Sequence, residues 1–338
     1  MPPRLVSALF RYSHTIGRGE MAGPGFRHPV AIALGEGGRM YVVNRGYDYR
    51  RDSTRVTICT VGEDYIGEFA KGNAFTQEST TDVPLVWPTS ITLDHQGAVY
   101  VADEWLNHIS IFTSDGESLH KWGKFGHEDG ELDGPSGIAF NGDDNLYLVD
   151  SRNNRIQKFT KDGRFLCKWG SEGNNNGDFM LPWGVDVDRK GDVYVADWGN
   201  DRIQKFSSQG QFLMKFGCSG TLDGEFNRPS GVAVDNDGVI YVADWGNHRL
   251  QIFDENGNFI TKIMGEATIS KWGKLKLDAN SEMWNHREAA YGLEREKLFW
   301  GPVAVEVDDQ GRIFVAESAR GRIQVYRKQA PPLHGSFL

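Results

Sequence analysis

The stretch PSGVAVDNDGVIYVADWGNHRLQIFDENGNFITKIMG, residues 229–265, decides the fold. Apolar residues fall in four short alternating runs, Val232–Val234, Ile240–Ala243, Leu250–Phe253 and Phe259–Ile263, with the turn signals Asn236-Asp237-Gly238 and Glu255-Asn256-Gly257 between them. Period-two alternation between tight turns is the pattern of a four-stranded antiparallel meander. The stretch has close copies from Pro135 (PSGIAFNGDDNLYLVDSRNNRIQKFTKDGRFLCKWG) and from Pro182 (PWGVDVDRKGDVYVADWGNDRIQKFSSQGQFLMKFG). The openings Pro88, Pro135, Pro182 and Pro229 lie 47 residues apart each time, and divergent copies open at Pro29 and Pro302.

One four-stranded sheet cannot bury both of its faces, so the copies must stack. Rotation about an axis produces a β-propeller whose core lies between blades. The expected fold is all-β, a six-bladed propeller forming one domain over residues 1–338. Closure of the ring has its own signature. Gly stands twelve residues before the next Pro (Gly123, Gly170, Gly217) and an apolar residue three before it (Leu132, Phe179, Phe226), and Gly17 and Phe26 hold those offsets ahead of Pro29. Leu9–Ile16 is therefore predicted to be the outermost strand of the last blade, whose inner strands come from Val303 through Tyr326.

Tyr-Val-Ala-Asp-Trp-Gly-Asn-His-Arg-Leu-Gln-Ile-Phe, residues 241–253, resembles the NHL repeat, and the resemblance runs from about Leu9 to Tyr326. It implies the propeller. For function it implies little, because one fold hosts many chemistries. Among enzymatic relatives, the peptidyl-α-hydroxyglycine amidating lyases hold zinc with histidines that follow the blade-opening prolines. The matching positions here are Val30, Thr89, Ser136, Trp183, Ser230 and Val303, none a ligand of that kind. Arg45-Gly46-Tyr47-Asp48 is similar to the lyases' stretch bearing a catalytic Arg.

Composition narrows the function classes. Net charge is −9 and the basic residues are scattered, which disfavours nucleic acid as partner. No apolar run approaches the length of a membrane span, and Leu5–Phe10 is too short for a secretory signal. The expected location is cytoplasmic and the expected form a monomer. Cys59, Cys167 and Cys218 are widely spaced without a C-x-x-C pair and read as reduced, packed thiols. No nucleophile elbow or phosphate loop is present, and no motif identifies a cofactor.

Length variation is one-sided. The turns between first and second and between third and fourth strands stay short, and all inserts fall in the other two connections. Asp197 to Phe206 spans nine residues but Asn44 to Cys59 spans fifteen, placing an insert within Arg45–Thr54; Phe206 to Pro229 spans 23, Cys59 to Pro88 29 and Phe253 to Pro302 49. Loops on a rigid scaffold carry binding chemistry, and the axial mouth is a natural concave site. Within the insert Gly265–Gly301, helix formers after Ser281 predict a helix over Glu282–Glu296, N-capped by Ser281, lying at the mouth as a partial lid or plug.

Each blade ends its second strand on a polar residue: Asn44, Asp103, Asp150, Asp197, Asp244 and Glu317. Such a ring could hold a hard cation. Its place in the repeat favours hydrogen bonding within each blade, as do Arg55, Arg155, Arg202, Arg249 and Arg322, which His108 replaces in the second blade. Departures from the repeat are the better site candidates. They form an aromatic and charged rim of Arg45, Tyr47, Trp87, Glu104, Trp105, Trp183, Trp198 and Trp245, with His286, Glu317 and Arg320 beside it. The leading expectation is a recognition propeller binding a small molecule, peptide or protein at the decorated face. The alternative is a metal-assisted lyase or hydrolase acting in the mouth, Arg45 stabilising negative charge and Tyr47, His28 or Glu104 moving protons.

Overall fold

The computed structural model describes residues 9–46, 53–72 and 85–329. Twenty-four strands form six four-stranded antiparallel sheets. The first blade is β2 to β5 (Pro29–Leu34, Arg39–Asn44, Arg55–Thr60, Tyr65–Phe69) and the second β6 to β9 (Pro88–Leu93, Val99–Asp103, His108–Phe112, Ser118–Trp122). The third is β10 to β13 (Pro135–Phe140, Asn145–Asp150, Arg155–Thr160, Phe165–Trp169) and the fourth β14 to β17 (Val185–Val187, Val193–Asp197, Arg202–Phe206, Phe212–Phe216). The fifth is β18 to β21 (Pro229–Val234, Ile240–Asp244, Arg249–Phe253, Phe259–Ile263). In the sixth, β22 to β24 (Pro302–Val307, Arg312–Glu317, Arg322–Lys328) are completed by β1 (Phe10–Ile16). Phe10 pairs with Lys328 and Ile16 with Ile323, so the two ends of the chain close the ring.

Burial follows position in the blade. All five residues of Val193–Asp197 are buried because both faces of a second strand meet neighbouring blades, whereas the outermost Phe212–Phe216 alternates between half-buried and exposed. Six apolar clusters fill the six gaps between blades. The one between the fourth and fifth blades holds Tyr194, Ile203, Phe226, Val242 and Phe253, and each fully buried side chain of this kind contributes about 1.5–3 kcal/mol. The Gly and apolar offsets have a steric cause: a Cβ at Gly217, where φ is +86°, would lie 2.3 Å from the ring of Phe226. Gly17 (φ +93°) and Phe26 repeat that contact at 2.3 Å where the chain ends meet.

The insert between the fifth and sixth blades departs from the predicted single helix. It forms α1 (Lys271–Asp278), α2 (Ser281–Glu288) and α3 (Leu293–Lys297). Gly292, at φ +77°, separates α2 from α3, and the side chain of Asn280, not Ser281, caps α2 by accepting the Glu282 N–H. The last residues of the insert, Trp300 and Gly301, line the mouth, whereas α1 packs against the closing strand and the first blade. Trp272 of α1 is 4% exposed and packs edge-on against Phe26 and Tyr65, at 5.7 and 6.4 Å between ring centres. Buried Glu63 accepts the N–H groups of Gly17 at 2.9 Å and Trp272 at 3.2 Å, and Arg18 donates to the Trp272 carbonyl at 2.9 Å. Helix α1 therefore fastens the closing strand to the first blade. Among the described residues no helix is long and apolar enough to cross a membrane.

Candidate functional site

All six blades contribute to a cavity of about 670 Å³ at the axial end where the unequal loops emerge. Its floor is made by residues that follow the blade-opening prolines, Val30, Thr89, Trp183, Ser230 and Val303. Its wall is uneven. Charged Arg45, Glu104 and Arg152 come from the first three blades, and Trp183, Trp198, Trp245 and Trp300 from the last three, which also supply Ser230, His248 and Ser318. Trp245 and Trp300 remain 37% and 59% exposed.

The polar ring at the ends of the second strands serves the fold. In the fourth blade, Asp197 is fully buried and accepts hydrogen bonds from the Met180 N–H (2.8 Å), Arg202 Nε (2.7 Å), Asn200 Nδ2 (2.9 Å) and Gln204 Nε2 (3.2 Å). Arg202 then donates to the carbonyls of Asn174, Asn175 and Asp178 in the loop that enters the blade. Asp150 with Arg155 and Asp244 with Arg249 repeat the arrangement at the same 2.7 Å. Glu317, expected among the ligand contacts, is fully buried and accepts from the Trp300 N–H at 3.0 Å and Gln324 Nε2 at 2.8 Å, so its carboxylate is committed within its own blade. In the first blade neutral Asn44 cannot balance Arg55, and Glu68 does so at 2.9 Å. Burial lowers the Arg55 pKa, and Glu68 opposes that shift.

Arg45 donates to Glu104 Oε1 at 2.9 Å while its guanidinium lies 4.3 Å from the centre of the Trp87 ring. Trp105 stacks outside Trp87 at 6.4 Å and is 62% exposed. These two rings do not line the cavity; Trp87 holds the Arg45 side chain, which does. His28 does line it, and its Nδ1 meets the Gly46 carbonyl at 2.9 Å. A carbonyl only accepts, so Nδ1 carries the proton in the neutral ring. Arg320 lies 5.8 Å from the Trp300 ring and donates to the Arg295 carbonyl at 2.9 Å. His286 is exposed on α2 and is not part of the cavity wall. Tyr47 lies outside the described residues.

Among the wall residues missing from the sequence reading are Arg152, His248 and Trp300. His248 adopts φ +55° and its Nδ1 accepts the Gly301 N–H at 3.0 Å, which leaves the proton on Nε2; its ring stacks on Trp300 at 5.8 Å. Asn107, Asn154 and Asp201 use a side-chain oxygen for the same bond to Gly134, Leu181 and Arg228. An imidazole at a position held by Asn or Asp in the three preceding blades was the available signal.

Comparison with known proteins agrees with this architecture. The NHL repeat profile matches residues 132–159, 179–206 and 226–253. Among solved structures, a protein of unknown function from Bacteroides thetaiotaomicron superposes with a TM-score of 0.63 at 18% identity, over 94% of this chain and 76% of that one. Virginiamycin B lyase from Staphylococcus aureus, in a catalytically inactive form with quinupristin, gives 0.58 at 13% identity, over 94% and 99%. Hydrazine synthase from Kuenenia stuttgartiensis gives 0.53 at 18% identity, over 88% and 83%. At such identities the likeness is one of fold. No curated protein matches the sequence.

Proposed function

We propose that this chain, a six-bladed β-propeller carrying NHL repeats, is a recognition protein that binds a small molecule in its axial mouth. The observation that carries the reading is convergence: residues that depart from the repeat, on loops from all six blades, meet around one cavity of about 670 Å³. That volume lies in the range of drug-sized ligand sites, about 300–1,000 Å³. Half-exposed tryptophans on a rigid scaffold supply apolar contact area at little conformational cost. The reading includes a monomer in the cytoplasm, which light scattering and cell fractionation check. To test the binding itself, purified protein is incubated with a small-molecule extract and examined by native mass spectrometry beside Trp198→Ala/Trp245→Ala. A mass retained by the parent and lost by the variant supports the reading, and identical retention by both overturns it.

An enzymatic reading has its own support: His28 and His248 both line the cavity, with imidazole tautomers set by backbone groups, and Arg45 is close enough to stabilise negative charge. Two structural neighbours, virginiamycin B lyase and streptogramin B lyase, are lyases. Conversion of the retained compound on prolonged incubation, abolished by His248→Gln with binding kept, would establish it over simple recognition.

A further inference from the structure

We propose that the half of the mouth built by the last three blades selects an uncharged aromatic group bearing a hydrogen-bond acceptor, which the imidazole Nε2–H of His248 recognises. This deepens the binding reading above and rests on it. The choice of His248 starts from what the fold requires at its position. Asn107, Asn154 and Asp201 hold the N–H groups of Gly134, Leu181 and Arg228 with a side-chain oxygen at 2.8, 2.7 and 2.6 Å. His248 holds the Gly301 N–H with Nδ1 at 3.0 Å, so a ring stands where a short amide or carboxylate serves the fold in the preceding blades. With Nδ1 accepting, Nε2 carries the proton of the neutral ring. That N–H has no protein partner among the described residues, and the imidazole is exposed and lines the cavity.

The surroundings of His248 decide what this donor meets. Its ring stacks on Trp300 at 5.8 Å with 29° between the planes, and Trp300 and Trp245 keep much of their surface open. Flat, exposed faces of this kind favour a flat aromatic partner in offset or edge-on contact. Charge is poorly matched there. Among the described residues the last three blades put no carboxylate, lysine or arginine on the cavity wall, so an ion of either sign would lose water without gaining a counter-ion. A cation meets a further obstacle. Arg228 already lies 4.7 Å from the ring centre of Trp198 and Arg320 5.8 Å from that of Trp300, and a second positive charge on those indoles would be repelled. The Ser230 hydroxyl donates to the carbonyls of Ala243 and Pro302 at 3.4 and 3.2 Å, which leaves it no proton for a ligand. The His248 N–H is therefore the donor that a carbonyl, ether or ring nitrogen meets beside the Trp300 ring.

The test titrates the full chain with four naphthalenes of similar size: 2-acetylnaphthalene, 2-ethylnaphthalene, 2-naphthoate and 2-naphthylmethylammonium, read by equilibrium dialysis and by quenching of tryptophan emission. The ketone is expected to bind about two- to tenfold tighter than the hydrocarbon, the range of one neutral hydrogen bond, and tighter than either ion. His248→Asn keeps the acceptor that the second and third blades use and removes the imidazole N–H. It should close the gap between ketone and hydrocarbon while the melting temperature is kept, and a gap that survives it overturns the role of His248. If that variant does not fold, the side-chain N–H resonance of His248 in the parent carries the test. It should move downfield with the ketone and not with the hydrocarbon, and an equal response to both overturns the assignment. Equal or tighter binding of the naphthoate or the ammonium ion overturns the choice of an uncharged ligand and leaves the mouth as a binding site. Failure of every probe to bind, or binding unaffected by Trp198→Ala/Trp245→Ala, overturns the binding reading itself.

Discussion

The Arg45 guanidinium stacks 4.3 Å from the centre of the Trp87 ring, and the Trp105 ring stacks on the same indole at 6.4 Å. A cation that lines the cavity is thereby held by a ring that does not. Trp87→Leu should cost about 1–2 kcal/mol in urea denaturation, the range of a partly desolvated cation–π contact. Denaturation of Trp87→Leu, Arg45→Gln and the double variant checks this: the two single losses should not add.

Asp197 and Arg202 form a buried pair in which Asp197 Oδ2 accepts from three side chains and Arg202 donates to three further carbonyls. Arg202→Met strands a carboxylate in the interior and should cost about 3–5 kcal/mol in urea denaturation. Arg39 pairs with Asp115 at the surface, where the side chains are 26% and 75% exposed. Arg39→Met should cost less than about 1 kcal/mol.

Asp186 and Glu306 stand at the same place, the fifth residue counted from the blade-opening proline, in the fourth and sixth blades. Burial pushes the Asp186 carboxyl up to about 7, with Asp188 adding to the rise, and drives Glu306 well above the usual carboxylate range, with the charge of Asp186 adding to it. A carboxyl with a raised folded pKa binds its proton more tightly in the native state. Its contribution is present at low pH and is lost as pH rises from about 4 through about 7 and beyond. Glu306→Gln should therefore melt higher than the parent at pH 8, by roughly 2–4 °C per kcal/mol recovered, and the difference should close towards pH 5. Calorimetric melting curves across that range measure it.

His108 replaces the arginine of the other blades, and its buried Nε2 has no hydrogen-bond partner among the described residues. Burial lowers its pKa, Asp103 opposing the shift. A base of this kind stabilises the fold while neutral and loses that contribution as pH falls below about 6.5. Hydrogen exchange should show the Val99–Asp103 and His108–Phe112 strands opening first between pH 6.5 and 5, and His108→Gln should flatten the response.

Trp272 fastens the insert to the closure. Trp272→Ala removes about 3–5 kcal/mol of local packing and should make residues 265–301 the first site of limited proteolysis while the blades stay folded. A digestion pattern identical to the parent's would show that the helices are held by other contacts.

The blades were legible because each copy repeats a local steric demand. Gly217 exists where it does because Phe226 occupies the space of its missing side chain, and the same pair at Gly17 and Phe26 marks the closing strand before any coordinates are seen. Trp183, Trp198 and Trp245 could be found as breaks in the pattern. Arg152 and His248 were overlooked because they sit at turn positions where the copies already vary, and Trp300 because the long insert hides its register. The seat of the insert was illegible for another reason. It depends on Trp272 meeting Phe26 and Glu63, groups more than two hundred residues earlier that no periodicity connects.

Phe10 and Lys328 are neighbours in one sheet although some three hundred residues separate them. Ribosomes add roughly 5–20 residues per second, so the first strand to emerge must wait tens of seconds for its partner to be made. Throughout that interval both an unpaired edge and an apolar flank are open to wrong associations. Closure of the ring should consequently wait until Lys328 has been made, in a single late step governed by encounter of β1 with β24, and a chaperone that shields Phe10–Ile16 should raise the yield more than it changes the final stability.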